Sequence, residues 1–250
     1  MDLDIRALPG GLGAQVKCDL ARLTGPDAAA SLTSALHRHR LLHFPGQHLN
    51  NADLLKAAGL FGTVDADTDR RYTVPAFPGI TVVSNVHEDG EPVGIYDGDE
   101  EDEWHADNSF KPELTRATLL YSIITPERGG QTRLADATRA YVDLPEAVKS
   151  RVDDLHAVHS IGRLGARQAE AGGGQSSAAS GTLAGLPEAT HPLAPVHPVT
   201  GARALLLGSM VVSHIPGLAE QDSRRLLDEL LAHTTSPAYL HTHPGARTTW

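Results

Sequence analysis

A histidine and an aspartate, His105 and Asp107, stand two positions apart in the stretch EWHADNSF. Side chains at positions i and i+2 lie on the same face of an extended chain, whereas on a helix they point about 200° apart. We therefore expect an extended segment, in which an imidazole nitrogen and a carboxylate oxygen converge. Such a pair can hold a divalent metal ion. One distant histidine would complete a facial triad, which leaves positions open for a chelating cosubstrate and O₂.

The H-x-D pair is weak evidence by itself, because such pairs occur by chance and the chain contains 14 histidines. A structural role, with no metal, is the competing interpretation. Three neighbouring features favour the metal site: Trp104 precedes the pair, NSF follows it, and the predicted strand segment ATLLYSIITPERGGQTRLAD comes shortly afterwards.

At the start of the chain, LDIRALPGGLGAQV predicts a short strand, a glycine-rich turn and a second strand. GPDAAASLTSALHRHR is typical of a helix, because Pro26 suits a first turn and apolar residues recur at helical spacing. The run LLHF suits a buried strand. NNADLLKAAGLFG predicts a second helix, which starts at a capping asparagine and ends at Gly62.

The rest of the chain carries mainly strand patterns. Strands are predicted in GITVVSNV (79–86), ATLLYSII (117–124), GQTRLADA (130–137) and RALLLGS (203–209). Helices are predicted in TRAYVDL (138–144), PEAVKSRVDDL (145–155) and AEQDSRRLLDELLAH (219–233), the last with leucines 226, 227, 230 and 231 facing the core. Residues 171–185, rich in Gly, Ala and Ser, predict a flexible loop, which is either a lid or a surface insertion.

Helices at the flanks and strands in the middle, without regular βαβ alternation, disfavour a doubly wound parallel sheet. The pattern favours a mostly β protein with flanking helices around a double-stranded β-helix core, that is, a jelly-roll or cupin-like barrel. At 250 residues we expect a single domain spanning 1–250.

Composition limits the partners. The net charge is −10, and no cluster of lysines and arginines is longer than the pair Arg70 and Arg71, so nucleic acid is not expected as a partner. The chain has a single Cys18, no apolar run of about 18 residues and no secretion signal, so we expect a cytoplasmic protein that does not cross a membrane. A homo-oligomer is common enough to be expected.

Four segments, EWHADNSF, ATLLYSIITPERGGQTRLADATRAYVDLP, HPLAPVHPVTGARALLLG and LLHFPGQHLNNADLLKAAGLFG, resemble the taurine dioxygenase (TauD/TfdA) family of Fe(II)- and 2-oxoglutarate-dependent oxygenases. The resemblance implies that His105 and Asp107 are the first two iron ligands and that the hydroxyl of Thr132 binds a carboxylate of 2-oxoglutarate. The implied cofactors are Fe(II), 2-oxoglutarate and O₂. The implied reaction oxidises, most simply by hydroxylation, a small organic acid or amino-acid-like molecule and converts 2-oxoglutarate to succinate and CO₂.

The sequence departs from the family at its end. In the family, the third iron ligand and the arginine that binds 2-oxoglutarate follow a Trp-Asp-Asn-Arg motif. This sequence stops at Trp250, which matches the tryptophan of that motif. We therefore expect that the sequence lacks the family's C-terminal segment and that the third ligand lies beyond Trp250. His241 and His243 alternate like strand residues but match a segment upstream of that ligand. We therefore do not expect either of them to bind iron.

Candidate substrate contacts lie before the H-x-D pair. Arg70, Arg71 and Tyr72 could bind an anionic head group, although pairing of the arginines with nearby aspartates is the simpler interpretation. Glu101 could instead favour an amine. Two other classes compete with the oxygenase: a non-catalytic protein of the same fold that binds a small acid or a partner chain, and a zinc hydrolase, which would need three protein ligands.

Overall fold

The computed structural model describes residues 3–66, 72–94, 103–160 and 187–243. These residues form twelve strands and five α-helices, so strands outnumber helices, as predicted. They group into two compact units. Of the described residues, the first unit contains 3–66, 72–94 and 116–131, and the second contains 103–115, 132–160 and 187–243.

The first unit is built on a three-stranded sheet in which β2 pairs with β1 in antiparallel and with β3 in parallel orientation. Two small antiparallel pairs, β4 with β5 and β6 with β7, follow. The elements are β1 (Asp4–Ala7), β2 (Ala14–Lys17), α1 (Gly25–His39), β3 (Leu42–His43), α2 (Asn51–Ala58), β4 (Thr73–Val74), β5 (Phe77–Thr81), β6 (His87–Glu88) and β7 (Glu91–Pro92). The predicted first two strands and the LLHF strand are confirmed, although β3 is half-buried and not buried as expected. The predicted strand 79–86 overlaps only the end of β5.

Both predicted helices of this unit are present. Helix α1 has its proline in the first turn and buries Leu32 completely. At the start of α2, the Asn50 side chain accepts a hydrogen bond from the Asp53 amide, and the Asp53 carboxylate accepts one from the Asn50 amide. The predicted end of α2 at Gly62 is wrong, because the helix stops at Ala58 and its last turn is closed by hydrogen bonds from the Gly59 amide.

A buried glutamine ties the loops of the first unit together. Gln47 is 3% exposed. Its side-chain oxygen accepts a hydrogen bond from the Leu20 amide (2.9 Å), and its side-chain nitrogen donates to the carbonyls of Cys18 (2.9 Å) and Pro45 (3.0 Å). One amide thus satisfies three main-chain groups beside the core.

Replacing Gln47 by alanine is expected to lower the free energy of unfolding by about 3 kcal/mol, because buried main-chain groups lose their partners. Urea unfolding monitored by circular dichroism measures this. The matched control is His48→Ala, next in sequence and exposed, which should change stability by less than about 0.5 kcal/mol. Equal stabilities of the two variants would contradict the structural role of Gln47.

The predicted strand at 117–124 is wrong. These residues belong to no hydrogen-bonded strand, although exposure alternates along 116–121 as in an extended chain with one face packed. Leu119 packs on the core of the first unit and the Tyr121 hydroxyl donates to the Gln47 carbonyl (3.3 Å), whereas Ile123 and Ile124 are 82% and 79% exposed. The alternating pattern correctly predicted an extended segment with one packed face. It contains no information on whether a second strand lies alongside to form hydrogen bonds.

The second unit contains a three-stranded sheet of order β10-β9-β11, the pair β12-β8 and three helices. Its elements are β8 (Thr132–Ala135), α3 (Ala137–Val142), α4 (Glu146–Val152), β9 (His156–Ser160), β10 (Glu188–Pro192), β11 (Val212–His214), α5 (Glu220–Thr234) and β12 (Leu240–His243). Helix α5 buries Leu226 and Leu230 in the core, with Leu227 and Leu231 packed against it. The predicted helices and strand β8 are confirmed.

The predicted strand 203–209 is wrong, because only an isolated bridge between Val196 and Arg203 forms there. Leu205 and Leu207 are nevertheless buried. Over the described ranges, each sheet has two or three strands and none closes into a barrel. The helices described are all too short or too polar to cross a lipid bilayer.

Candidate functional site

The H-x-D pair converges as the sequence predicted. His105 Nε2 lies 3.3 Å from Asp107 Oδ1, and the two side chains are 34% and 45% exposed. The pair is not in a regular strand. Residues 103–106 are irregular, and a turn occupies 107–110. The spacing of two residues therefore brings the side chains together without a neighbouring strand.

The backbone fixes which imidazole nitrogen faces the aspartate. His105 Nδ1 lies 2.7 Å from the carbonyl oxygen of Glu103. A carbonyl can only accept, so Nδ1 carries a hydrogen, and Nε2 is the ring nitrogen that faces Asp107. A hydrogen bond that orients the ring in this way is typical of metal-binding histidines.

The distance also suits a metal ion. Two ligands that bind one ion at right angles, each at about 2.1 Å, are roughly 3 Å apart. The donors, a nitrogen and a carboxylate oxygen, are those of a non-haem iron site. Over the described ranges, no group of three or more His, Cys, Asp or Glu side chains could hold a metal ion. The pair by itself would therefore be two ligands of a larger set.

The backbone of the pair is supported from one side by the segment Gly208–Met210. The Met210 amide donates to the Trp104 carbonyl (3.3 Å). A Cβ atom added at Gly208 would lie 2.8 Å from that carbonyl oxygen and 3.0 Å from the Cα atom of His105. Any side chain larger than hydrogen at this position would therefore displace the backbone that carries the first candidate ligand.

Thr132 lies in the same unit, at the start of β8. Its neighbour Arg133 places its guanidinium carbon 5.6 Å from the centre of the Trp104 ring, so a side chain of β8 contacts the residue that precedes His105. Strand β12 pairs with β8, with His243 opposite Thr132 and His241 opposite Leu134. His241 and His243 thus alternate on a strand, as predicted.

Comparison with known proteins identifies the family. The model of the taurine catabolism dioxygenase TauD, TfdA family matches residues 4–246. The chain belongs to this family. As a TauD/TfdA protein it is a 2-oxoglutarate-dependent dioxygenase, an oxidoreductase that uses 2-oxoglutarate and O₂. The resemblance inferred from the sequence is confirmed, and a zinc hydrolase is disfavoured.

Two curated relatives and one solved structure illustrate the similarity of this TauD/TfdA protein. It is 31% identical to the (S)-phenoxypropionate/alpha-ketoglutarate-dioxygenase of Sphingobium herbicidovorans, over 88% of this chain and 76% of the relative. It is 30% identical to the alpha-ketoglutarate-dependent sulfate ester dioxygenase of Pseudomonas putida, over 94% and 75%. The crystal structure of AAD-2 in complex with Mn(II) and N-oxalylglycine is 25% identical, with a TM-score of 0.79 over 100% of this chain and 88% of AAD-2.

The candidate substrate contacts of the TauD/TfdA chain are only partly described. Tyr72 is half-buried in the first unit, just before β4. Arg70, Arg71 and Glu101 lie outside the described residues, as does the predicted loop 171–185. The predicted roles of these residues stay predictions.

Three buried polar residues follow or face the H-x-D segment, and sequence analysis assigned no role to two of them, Ser109 and His159. Ser109 and His159 are fully buried, and His191 is 6% exposed. His159 Nδ1 lies 3.0 Å from the Ser109 hydroxyl oxygen, and His191 Nε2 lies 2.9 Å from the Ser109 carbonyl oxygen. The only sequence signal was the presence of histidines on the apolar faces of strands, which does not identify a partner 50 or 82 positions away.

Burial lowers the pKa of His159 to about 4, with the nearby His191 as a smaller cause. The unfolded chain has an ordinary histidine pKa of about 6.5, so it binds more protons than the folded protein between these two values. The stability contributed by neutral His159 is therefore present above about pH 6.5 and is lost as the pH falls towards 4.

Lowering the pH from 7 to 5 is expected to reduce the free energy of unfolding by about 2 kcal/mol through the protonation of His159 alone. Urea unfolding of the wild type and of His159→Phe at both pH values measures this, because the variant lacks the titrating group. The wild type should lose more stability than the variant. An identical pH dependence in the two proteins would contradict the lowered pKa of His159.

Proposed function

We propose that this protein is an Fe(II)- and 2-oxoglutarate-dependent dioxygenase that hydroxylates a small organic acid or amino-acid-like substrate and converts 2-oxoglutarate to succinate and CO₂. The observation that carries the proposal is the His105–Asp107 pair, with Nε2 3.3 Å from a carboxylate oxygen and the ring oriented by the Glu103 carbonyl. Family membership supports the reaction class.

In this proposal His105 and Asp107 hold the iron as two ligands of a facial triad, and the third ligand lies outside the described residues. Bound iron supplies the oxidising power, together with O₂ and the cosubstrate. The protein's residues orient the reactants. The Glu103 carbonyl keeps the proton on His105 Nδ1, and the Thr132 hydroxyl donates a hydrogen bond to a carboxylate of 2-oxoglutarate.

A double-stranded β-helix core within a single domain over residues 1–250 remains part of the proposal. The similarity to AAD-2, with a TM-score of 0.79, supports it. A double-stranded β-helix needs larger sheets than the described residues form, which are sheets of two or three strands each. Self-association into a homo-oligomer is retained as a further expectation, which size-exclusion chromatography with light scattering tests.

The proposed substrate is a small organic anion. The relatives named above act, by their names, on phenoxypropionate and on sulfate esters, both of which carry an anionic group. Arg70, Arg71 and Tyr72 are the candidate residues for this group, because a guanidinium binds a carboxylate or sulfate through two parallel hydrogen bonds. Glu101 would instead favour a substrate with an amine.

The test is succinate formation from 2-oxoglutarate with Fe(II), ascorbate and air, measured with a panel of aryloxypropionates, alkyl sulfates and amino acids. The expected result is faster succinate release with one class of anion, together with its hydroxylated product. Arg70→Gln and Arg71→Gln should raise KM for that substrate, whereas a preference for amines that is lost in Glu101→Gln would replace the anion proposal. No succinate with Fe(II), with or without substrate, would overturn the proposed function.

Replacing Thr132 by valine keeps the shape of the side chain but removes the hydroxyl. A hydrogen bond to a charged group contributes about 1.5–3 kcal/mol, so the Kd for 2-oxoglutarate is expected to rise about tenfold to a hundredfold. Isothermal titration with Mn(II) present measures it. The control, Thr132→Ser, keeps the hydroxyl and should bind almost as tightly as the wild type. Equal affinity of Thr132→Val and the wild type would remove Thr132 from the site.

A further inference from the structure

A buried polar cluster lies directly behind the turn that carries Asp107. It consists of Ser109, His159 and His191, and we call it the Ser-His-His cluster. All three belong to the second unit. His159 on β9 pairs with Ala189 on β10, and His191 lies two residues further along β10, so the two histidines share one face of the sheet. Their rings are 5.3 Å apart and nearly perpendicular.

Each histidine of the cluster contacts the chain just after Asp107. His191 Nε2 lies 2.9 Å from the Ser109 carbonyl oxygen and 3.0 Å from that of Lys111. Carbonyl oxygens only accept, so Nε2 carries a hydrogen and donates it between the two. His159 Nδ1 forms the second contact, 3.0 Å from the Ser109 hydroxyl oxygen. Two strands thus hold one short turn by both its main chain and its side chain.

The turn itself is a constrained one. Asn108, between Asp107 and Ser109, has a φ of +56°, in the left-handed region that costs free energy for a residue other than glycine. The Lys111 amide donates to the Asn108 carbonyl (2.9 Å), and the Asn108 side chain donates to the Thr115 hydroxyl (3.2 Å). A strained backbone persists only where its surroundings hold it, and such strain concentrates at functional sites.

The composition of the cluster is not explained by packing alone. His159 Nε2 is buried and has no hydrogen-bond partner among the described residues. A buried polar atom without a partner lowers stability, so an apolar side chain of similar size would fill the same space at less cost. Packing alone therefore does not account for an imidazole at this position. The hydrogen bond that its Nδ1 shares with Ser109 is the contact that an apolar side chain would lose.

We propose that the Ser-His-His cluster positions the metal-binding turn, holding Asp107 so that its carboxylate meets His105 Nε2. Its members are positioning residues and bind no iron themselves. This inference rests on the proposed metal site. The two histidines are fixed in the sheet of β9 and β10, and Ser109 follows Asp107 by two positions. Their hydrogen bonds to Ser109 therefore restrict the position of the Asp107 carboxylate.

The experiment measures binding of Mn(II) alone to the purified wild type and to variants, by electron paramagnetic resonance of the free ion, beside thermal unfolding of the metal-free protein. Ser109→Ala and His191→Leu are expected to raise the Mn(II) Kd about tenfold. The conservative variants Ser109→Thr and His191→Gln, which keep a hydroxyl or an N–H donor, should restore most of the affinity.

Val152→Ala is the matched control. Val152 is fully buried in the core of the same unit, and its apolar side chain forms no hydrogen bond with the Ser-His-His cluster. It should lower the unfolding temperature without changing the Mn(II) Kd. If Ser109→Ala and His191→Leu behave like Val152→Ala, the cluster only stabilises the core and the inference is overturned. A wild type that binds no Mn(II) would instead overturn the proposed metal site, and the inference with it.

Discussion

His105→Ala is expected to lower the rate of 2-oxoglutarate turnover about a thousandfold, because the metal loses a nitrogen ligand and with it the electrostatic stabilisation that a bound ion supplies. Succinate release under Fe(II), ascorbate and air measures the change. The variant should unfold at nearly the same temperature as the metal-free wild type, because the His105 side chain is 34% exposed and belongs to neither hydrophobic core.

The control for this prediction is His156→Ala, an exposed histidine on β9 of the same unit. Its turnover should equal that of the wild type. Mn(II) binding separates two causes of inactivity, since loss of the ligand should weaken metal binding as well as turnover. Undiminished succinate formation by His105→Ala would show that the H-x-D pair is not the metal site.

Gly208→Val is expected to lower metal-dependent turnover about a hundredfold without any change in the candidate ligands. A Cβ atom there would lie 2.8 Å from the Trp104 carbonyl oxygen and 3.0 Å from the His105 Cα atom. Both neighbours are main-chain atoms, which cannot rotate away, so the H-x-D segment must move. A displacement of about 1 Å in a reacting site can cost about a hundredfold in rate.

Gly208→Ala should give a smaller loss than Gly208→Val, because its side chain is smaller. Gly59→Ala in the first unit is the control, since the nearest atom to an added Cβ there is the Lys56 carbonyl oxygen at 3.3 Å. Succinate release and Mn(II) affinity are measured for all three variants. Unchanged metal affinity in Gly208→Val would mean that the segment tolerates the added side chain.

Local patterns in the sequence predicted the local parts of this structure. Helix α1, the first two strands and the convergence of His105 with Asp107 all depend on residues close together in the chain, where spacing alone decides which side chains meet. Apart from the end of α2, the failed predictions concern strands. Residues 117–124 and 203–209 have the apolar pattern of strands, but a strand also requires a hydrogen-bonding neighbour, which the pattern does not contain.

The sequence by itself thus determined the reaction class, through family motifs, and two candidate metal ligands. Only the tertiary structure decided how those ligands are held. Gly208 meets the backbone of His105 across 103 positions, and the imidazole of His159 reaches Ser109 across 50. Such contacts arise where segments from distant parts of the chain pack together, and chain spacing carries no information about which of 14 histidines will face a given turn.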